Sequence, residues 1–303
     1  MEERYPPLLV SILCIGFAVL YLPILVLIAY SFNASPLVSV WGGLSTAWYV
    51  KLVHNRELLD AALLSLEVAV TASTIAVVLG TLAAIALVRF ARFRGRLLLT
   101  GMVTAPLVMP EVITGTTQLL LFVSLLQTFS WPHRGFLTIV LAHITFCIAY
   151  VTVTVQSRLQ GADRSLEEAA QDLGAGPARA FLEITLPLIS PAIVSSWLLS
   201  FTLSLDDLVI SSFVTGPGAT TLPMLIYSKV KLGVSPDINA LASLIIGIVG
   251  SCVIFAGWLM RRSEQRRELE TRMAEQSEES SLGAAAPTLR PPQAQAQALR
   301  SPS

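Results

Sequence analysis

Residues 165–174 read SLEEAAQDLG, and the architecture of the whole chain can be inferred by starting from them. Ser165 followed by Glu168 is a capping-box pattern, which predicts that a helix begins at Ser165. Gly174 comes after the last periodic residue and suits a left-handed C-terminal cap. At about 100° per residue, one apolar stripe is formed by Leu166, Ala169, Ala170 and Leu173. The pattern therefore predicts a short amphipathic helix.

A second short helix is predicted directly after the first. Pro177 suits the first turn of a helix, and Pro187 precedes a long apolar segment. The predicted helix pair lies between two apolar segments, residues 136–155 and 189–214. Two interpretations stay open on this pattern alone: the pair docks a partner, or it packs on its own bundle.

The composition places the chain in a membrane. Hydrophobic residues make up 54% of the 303 residues and charged residues 13%, against about 25% charged in ordinary soluble proteins. The formal net charge is zero, so no basic field indicates a nucleic-acid partner. The three cysteines lie in apolar stretches without CxxC or Cys/His spacing, and neither a disulfide nor a metal site is predicted.

Six segments are long and apolar enough to cross a bilayer, which takes about 20 residues. They are residues 8–30, 61–88, 97–126, 136–155, 189–214 and 238–260. The first is longer than the core of a signal peptide, so we interpret it as a retained span. The predicted fold is an all-α integral membrane bundle. Its predicted regions are a cytoplasmic N-terminus (1–7), a six-span domain (8–260) and a charged, then disordered, cytoplasmic tail (261–303).

Lysine and arginine residues indicate the orientation, because they are enriched in cytoplasmic connections. Thirteen of them flank the spans on one side and five on the other. Both termini are therefore predicted to be cytoplasmic. The connection of residues 156–187, which contains the helix pair, is predicted to lie on the same side.

This connection resembles a known signature. Glu168-Ala169-Ala170, then Gly174 and then Ile184-Thr185-Leu186-Pro187 match the cytoplasmic EAA loop of binding-protein-dependent ABC importers at every fixed position. In that family the loop forms a coupling helix that sits in a groove of the ATP-binding subunit. The resemblance implies a type I (MetI-like) permease fold over residues 8–260. It assigns coupling to the ATPase to Glu168, Ala169, Ala170, Leu173, Gly174, Ile184, Leu186 and Pro187.

The chain has no nucleotide-binding signature of its own. Neither a GxxxxGK[ST] loop, an HExxH motif nor a nucleophile elbow occurs in the sequence. We therefore predict a transport subunit rather than an enzyme, with no cofactor on this chain. ATP and Mg²⁺ are expected on the partner subunit.

Carboxylates within the apolar segments are the candidate substrate pathway. Burying an ionisable group in a span costs about 2.5–3.5 kcal/mol on insertion scales, so such groups mark functional sites. The group comprises Glu67, Glu111, Asp206 and Asp207. No lysine or arginine lies deep in a span, which favours a cationic substrate. Glu67 lies near the outer end of its span, where snorkelling to the interface is the simpler explanation.

One of these carboxylates lies on a polar stripe of its helix. On a helix, Asp207 shares an arc with Ser196, Ser200, Ser204 and Ser211. Such a stripe faces either a water-filled path or a partner helix. We assign Asp207, Glu111, Ser200, Ser204 and Asp206 to the substrate pathway, with Asp206 pointing about 100° away from the stripe, towards a helix contact. His143 is interpreted as a neutral, hydrogen-bonded core histidine rather than a ligand.

A second resemblance concerns the same segments. Residues 105–115 (APLVMPEVITG), 201–210 (FTLSLDDLVI) and 212–224 (SFVTGPGATTLPM) resemble polyamine permeases, most closely the second permease subunits of putrescine importers. The resemblance implies import of polyamines, with putrescine favoured over spermidine, across the bacterial inner membrane. It also implies a dimeric ATP-binding subunit, a second homologous permease and a periplasmic polyamine-binding protein as partners.

Three alternatives remain on the sequence. One is an ABC permease for another solute, such as an aminophosphonate or iron. Another is a secondary transporter driven by an ion gradient, which requires paired repeats with broken helices; the sequence shows no such pair. A membrane scaffold without transport activity explains the spans, but it does not explain a coupling loop together with intramembrane carboxylates.

Overall fold

The computed structural model describes residues 7–37, 40–90, 92–232 and 236–251. Every regular element in these ranges is helical, in agreement with the predicted fold class. The helices are α1 (Pro7–Ser31), α2 (Ala47–His54), α3 (Arg56–Arg89), α4 (Arg96–Val108), α5 (Glu111–Phe129), α6 (Phe136–Gln160), α7 (Ser165–Asp172), α8 (Pro177–Ala180), α9 (Leu186–Leu205), α10 (Val209–Val214), α11 (Leu222–Leu232) and α12 (Pro236–Ser251). A π-helical turn, Phe181–Thr185, joins α8 to α9.

Within the described ranges, five helical segments are long and apolar enough to cross a membrane. They are Val10–Ser31, Arg56–Arg89, Glu111–Phe129, Phe136–Gln160 and Pro177–Leu205. Two shorter apolar helices, α4 and α12, correspond to parts of the predicted third and sixth spans. The C-terminal part of the predicted sixth span and the predicted tail lie outside the described residues.

Three long helices, α3, α6 and α9, form the centre of the bundle. Small residues at a spacing of three to four let α3 approach its neighbours closely; the buried stripe on α3 consists of Ala69, Ala72, Ala76, Gly80 and Ala84. The hydroxyl of Thr152 on α6 donates to the carbonyl of Gly80, 3.3 Å away. The pattern of small residues thus fixes the central helix contact.

Two of the predicted spans are not continuous helices. The third is interrupted at Met109–Pro110, between α4 and α5, and the fifth between α9 and α10. Mean hydropathy over each span did not reveal the breaks, because long apolar stretches flank the prolines of the third span and the two aspartates of the fifth. Both breaks contribute residues to one cavity, described below.

The chain divides into two compact units, residues 1–241 and 242–303. All functional features described below belong to the first unit. The predicted domain boundaries at residues 7 and 260 remain predictions.

Candidate functional site

The break in the third span follows from its two prolines. Pro110 has no N–H, so the carbonyl of Pro106 lacks its usual helical donor, and Pro106 leaves the carbonyl of Met102 without a donor in the same way. Helix α4 ends at Val108, and Glu111 is the first residue of α5. Glu111 therefore lies beside a helix end with free acceptor groups.

At the break in the fifth span, Asp207 caps the helix that follows. Its carboxylate accepts hydrogen bonds from the backbone N–H groups of Ile210, at 3.2 Å, and Ser211, at 2.7 Å. These are unpaired donors of the first turn of α10, so Asp207 acts as a cap for that helix. On the other side of the break, the N–H of Asp206 donates to the carbonyl of Thr202 and ends α9.

Helix α5 crosses α10 closely at Gly115. A Cβ atom at this position would lie 2.7 Å from Cδ2 of Phe213 and 3.4 Å from Cα of Ile210. Only glycine permits such an approach without displacing the ring. The crossing brings the two breaks side by side.

A cavity of about 270 Å³ lies at the two breaks. Carboxylates from both spans line it, and Phe146 and Tyr150 of α6 form an aromatic wall; the acidic residues are Glu111, Asp206 and Asp207. Glu111 and Asp206 are exposed, and within the described ranges neither forms an ion pair. Asp206, expected at a helix contact, therefore lies open to the cavity instead.

The serine stripe is buried against α6, and among the residues that the structure describes it does not line an open path. Ser196, Ser200, Ser204 and Ser211 have between 0% and 4% of their surface exposed. The thiol of Cys147 on α6 lies 3.6 Å from the carbonyl oxygen of Ser200. Of the two orientations that the sequence left open for the stripe, the structure has the helix contact. Ser200 and Ser204 thus lie behind the cavity wall.

His143 on α6 connects the two sides of the break in the fifth span. Its Nδ1 atom lies 2.6 Å from the hydroxyl of Ser204, while Nε2 lies 3.2 Å from Oδ2 of Asp207 and 3.0 Å from the hydroxyl of Ser211. An ionised carboxylate only accepts hydrogen bonds, so Nε2 carries a hydrogen in that state. His143 is 1% exposed. No local pattern predicts that this histidine and Asp207 are partners, because they lie 64 positions apart.

The fourth intramembrane carboxylate, Glu67, lies elsewhere. It is exposed on α3 and lines a separate cavity with Glu57 and Asp60. Glu57 also pairs with Lys229 of α11, at 3.3 Å. Among the described residues, no group of three His, Cys, Asp or Glu side chains is arranged to hold a metal ion.

The predicted amphipathic helix of the EAA loop is present as α7, but its cap differs from the prediction. The cap is supplied by Asp163, whose Oδ1 accepts the N–H of Ser165 at 2.9 Å. This bond lowers the pKa of the Asp163 carboxyl from its usual value. Ser165 is instead the first residue of the helix, and the predicted capping box with Glu168 does not form.

The C-terminal end of α7 agrees with the prediction. Gly174 has a φ of +91°, and the N–H of Ala175 donates to the carbonyl of Ala170 at 3.0 Å. This is the bond that a left-handed glycine cap makes.

The apolar face of α7 has no cover within the described chain. Helix α7 contains no buried residue, and Leu166 and Leu173 are 49% and 91% exposed. Of the two interpretations left open by the sequence, packing of this face on its own bundle is not observed. Ile184 and Leu186 are half-buried where the loop returns to the membrane, and Pro187 is exposed.

Two arginines hold α7 against the end of α3. From the sequence alone, these arginines count only among the basic residues that indicate the orientation. Arg89 pairs with Glu167 and lies 3.5 Å from the hydroxyl of Thr185. Arg164 donates to the carbonyl of Val88 at 3.2 Å. No local pattern identifies these pairs, because their members lie 76 or more positions apart in the sequence.

Comparison with known proteins gives consistent matches. Residues 76–269 match the family model described as "Binding-protein-dependent transport system inner membrane component". The putrescine transport system permease protein PotI of Escherichia coli K12 is 58% identical over 262 residues, which cover 86% of this chain and 93% of PotI. The spermidine/putrescine transport system permease protein PotC of the same strain is 44% identical over 250 residues, covering 82% and 92%.

Solved structures resemble the chain in fold. A bacterial ABC transporter that imports the acidic polysaccharide alginate has a TM-score of 0.62 at 16% identity, covering 82% of this chain and 93% of that one. The MetNI methionine ABC transporter has a TM-score of 0.53 at 15% identity, covering 73% and 99%.

Proposed function

Because this chain belongs to the family of binding-protein-dependent transport system inner membrane components, we propose that it is the permease subunit through which an ATP-driven importer carries polyamines, with putrescine as the preferred substrate. The fold is the MetI-like fold of ABC importer permeases. The observation that carries the substrate assignment is the acidic cavity between the two broken spans. The relatives whose names specify putrescine and spermidine support the same assignment.

The chemistry of the cavity suits an alkylammonium ion. Glu111 and Asp206 offer carboxylate oxygens without a cationic partner among the described residues, and Pro106 offers a carbonyl without its helical donor. Phe146 and Tyr150 offer aromatic faces, which attract cations. A diamine without such groups would face a barrier of several kcal/mol in a low-dielectric path.

Asp207 contributes differently from the two exposed carboxylates. Its side chain is 6% exposed and is occupied by His143 and by the cap of α10. In this proposal Asp207 supplies negative charge at the cavity wall and holds the break in shape, while Glu111 and Asp206 contact the ammonium groups. Ser200 and Ser204 support the wall from behind.

The family implies an ATP-binding subunit and a binding protein as partners. We assign the docking of the ATP-binding subunit, as a dimer, to the exposed apolar face of α7. A second, homologous permease subunit completes the translocation path. A periplasmic polyamine-binding protein delivers the substrate on the opposite side of the membrane.

Gly174→Val is expected to lower co-purification of the ATP-binding subunit by about fivefold or more, because a left-handed backbone costs an L-residue about 1–2 kcal/mol. No atom lies within 4 Å of the position that a Cβ would take, so the strain comes from the backbone alone. The matched control is Gly176→Val, where φ is −66° and the surroundings are equally open. Equal losses in both variants would contradict this explanation.

The chain is an inner-membrane component, and we propose that both of its termini are cytoplasmic. In a background without native cysteines, Ala47→Cys is expected to react with an impermeant thiol reagent in intact spheroplasts. Asp172→Cys on α7 is expected to react only after the membrane is permeabilised. Both positions are exposed. The reverse labelling pattern would place α7 away from ATP and overturn the coupling role.

The direct test of the proposed function is uptake of radiolabelled putrescine by vesicles that contain the whole complex. ATP inside the vesicles and the binding protein outside should both be required. Uptake driven by an ion gradient without ATP would favour a secondary transporter. Faster ATP-dependent uptake of an aminophosphonate or iron than of putrescine would favour the alternative substrates.

A further inference from the structure

We propose that the ion pair between Arg89 and Glu167 is the mechanical link through which movement of α7 reaches the membrane-spanning bundle. The inference rests on the proposed docking of an ATP-binding subunit at α7. It assigns a positioning role in coupling to two residues that lie outside the matched positions of the EAA loop. Neither residue contacts the cavity at the two breaks.

The pair joins the two elements that must move together. Arg89 is the last residue of α3, and Glu167 lies in the first turn of α7. The contact is reinforced by Arg164, which donates to the carbonyl of Val88 one residue before Arg89. Arg89 also reaches Thr185 in the π-helical turn that leads into α9. One guanidinium thus lies where α3, α7 and the start of α9 meet.

Among the described residues, the other contacts of α7 are mainly with α8 and the π-helical turn of its own loop. The helix has no buried residue, so it lacks the apolar packing that ties most helices to a protein core. A displacement of α7 is therefore transmitted through its chain connections and through these polar contacts. Without the ion pair, the exposed hydrogen bond from Arg164 to Val88 would be left to tie α7 to α3, and α7 could tilt more freely while α3 stays in place.

Helix α3, which carries Arg89, packs against the two helices that contribute residues to the cavity. Helix α3 packs along α6 and α9 through much of its length. Helix α6 carries Phe146 and Tyr150 of the cavity wall, and α9 ends at the break beside Asp206. A rigid connection from α7 to α3 therefore leads to both walls of the proposed substrate path.

Burial separates this pair from an ordinary surface ion pair. The side chains of Arg89 and Glu167 are 22% and 16% exposed, whereas those of Arg179 and Glu183, in the same cytoplasmic loop, are 71% and 61% exposed. Exposed pairs contribute little, because water and salt screen them. The Arg179–Glu183 pair is therefore a matched control within the same loop.

The test is a charge exchange in the complete complex. Arg89→Glu, Glu167→Arg and the double variant are placed in vesicles with the ATP-binding subunit, the second permease and the binding protein. Putrescine uptake, ATP hydrolysis and the amount of assembled complex are measured together. The same three variants are made for Arg179 and Glu183.

Each single exchange at the link is expected to reduce uptake per ATP hydrolysed by about tenfold, within the usual range of coupling between sites. The ATP-binding subunit should remain bound, since its docking face on α7 is unchanged. The double variant should recover uptake to within about threefold of the wild type, because the attraction is restored with reversed polarity. Exchanges at Arg179 and Glu183 should leave uptake within about twofold of the wild type.

Two results would overturn the inference: wild-type uptake per ATP in both single variants, or single losses that the double variant does not repair. If a single exchange lowers the amount of assembled complex, the variants Arg89→Gln and Arg89→Lys are compared instead to test whether coupling requires the positive charge. The glutamine variant should lose coupling and the lysine variant should retain it, and equal behaviour of the two would also reject the link. Failure of the proposed function is distinct, since it would appear as absence of ATP-dependent uptake in the wild type.

Discussion

Replacing Glu111 with Gln and Asp206 with Asn in one chain is expected to reduce putrescine uptake by about a hundredfold, since two lost interactions of about 1.4 kcal/mol each multiply. Both substitutions keep the size of the side chain and remove its charge. Both residues are exposed at the cavity, so the protein fold does not depend on burying them. The amount of assembled complex and the affinity of the binding protein should be unchanged.

The control for this pair is Glu67→Gln. Glu67 is also an exposed carboxylate within a predicted span, but it lines a different cavity, beside Glu57 and Asp60. Uptake of radiolabelled putrescine at several concentrations gives the maximal rate and the half-saturating concentration for each variant. Wild-type uptake by the double variant would reject the cavity as the substrate path. An equal loss in the Glu67 variant would indicate a general effect of charge.

Asp207→Asn is expected to have the second-largest effect, by a different cause. The amide group of asparagine offers one acceptor oxygen, whereas the carboxylate accepts from two backbone N–H groups and lies beside His143. One of these donors is left without an acceptor, which costs about 1–3 kcal/mol for a buried group. We expect uptake to fall about tenfold or more and the purified complex to unfold at a lower temperature.

Ser204→Ala separates the two parts of this network. The variant removes the Ser204 hydroxyl from Nδ1 of His143 and leaves the cap of α10 intact. Its uptake should remain much closer to that of the wild type. If Asp207→Asn abolishes uptake at unchanged thermal stability, Asp207 acts on the substrate directly. If Asp207→Asn transports normally and is as stable as the wild type, Asp207 neither contacts the substrate nor stabilises the break.

The broken spans also bear on the choice between transporter classes. The sequence argued against a secondary transporter because it showed no paired repeats with broken helices in corresponding positions, whereas the structure interrupts the third and fifth spans. The breaks themselves therefore do not separate the classes. The family match does so, because it places the chain among the inner membrane components of binding-protein-dependent transport systems.

Features with a local cause were determined by the sequence itself. Apolar length predicted six spans, and among the described residues five helical segments are long and apolar enough to cross a membrane. Glycine after the last periodic residue predicted the left-handed turn at Gly174. The apolar stripe of α7 and the acidic residues of the spans were likewise visible, because each depends on residues within a few turns of one helix. The spacing around Glu168 was sufficient to indicate the family.

The tertiary structure alone decided which of these residues meet. His143 and Asp207 are 64 positions apart and Arg89 and Glu167 are 78 apart, and helical periodicity carries no information at such distances. The serine stripe had two orientations compatible with its pattern, and contact with α6 selected one. The cap of α7, by contrast, is a local feature that the capping-box pattern assigned to the wrong residue, since Asp163 and not Ser165 accepts the hydrogen bond. Local rules fix the faces of each helix, whereas the packing of distant helices fixes which faces touch.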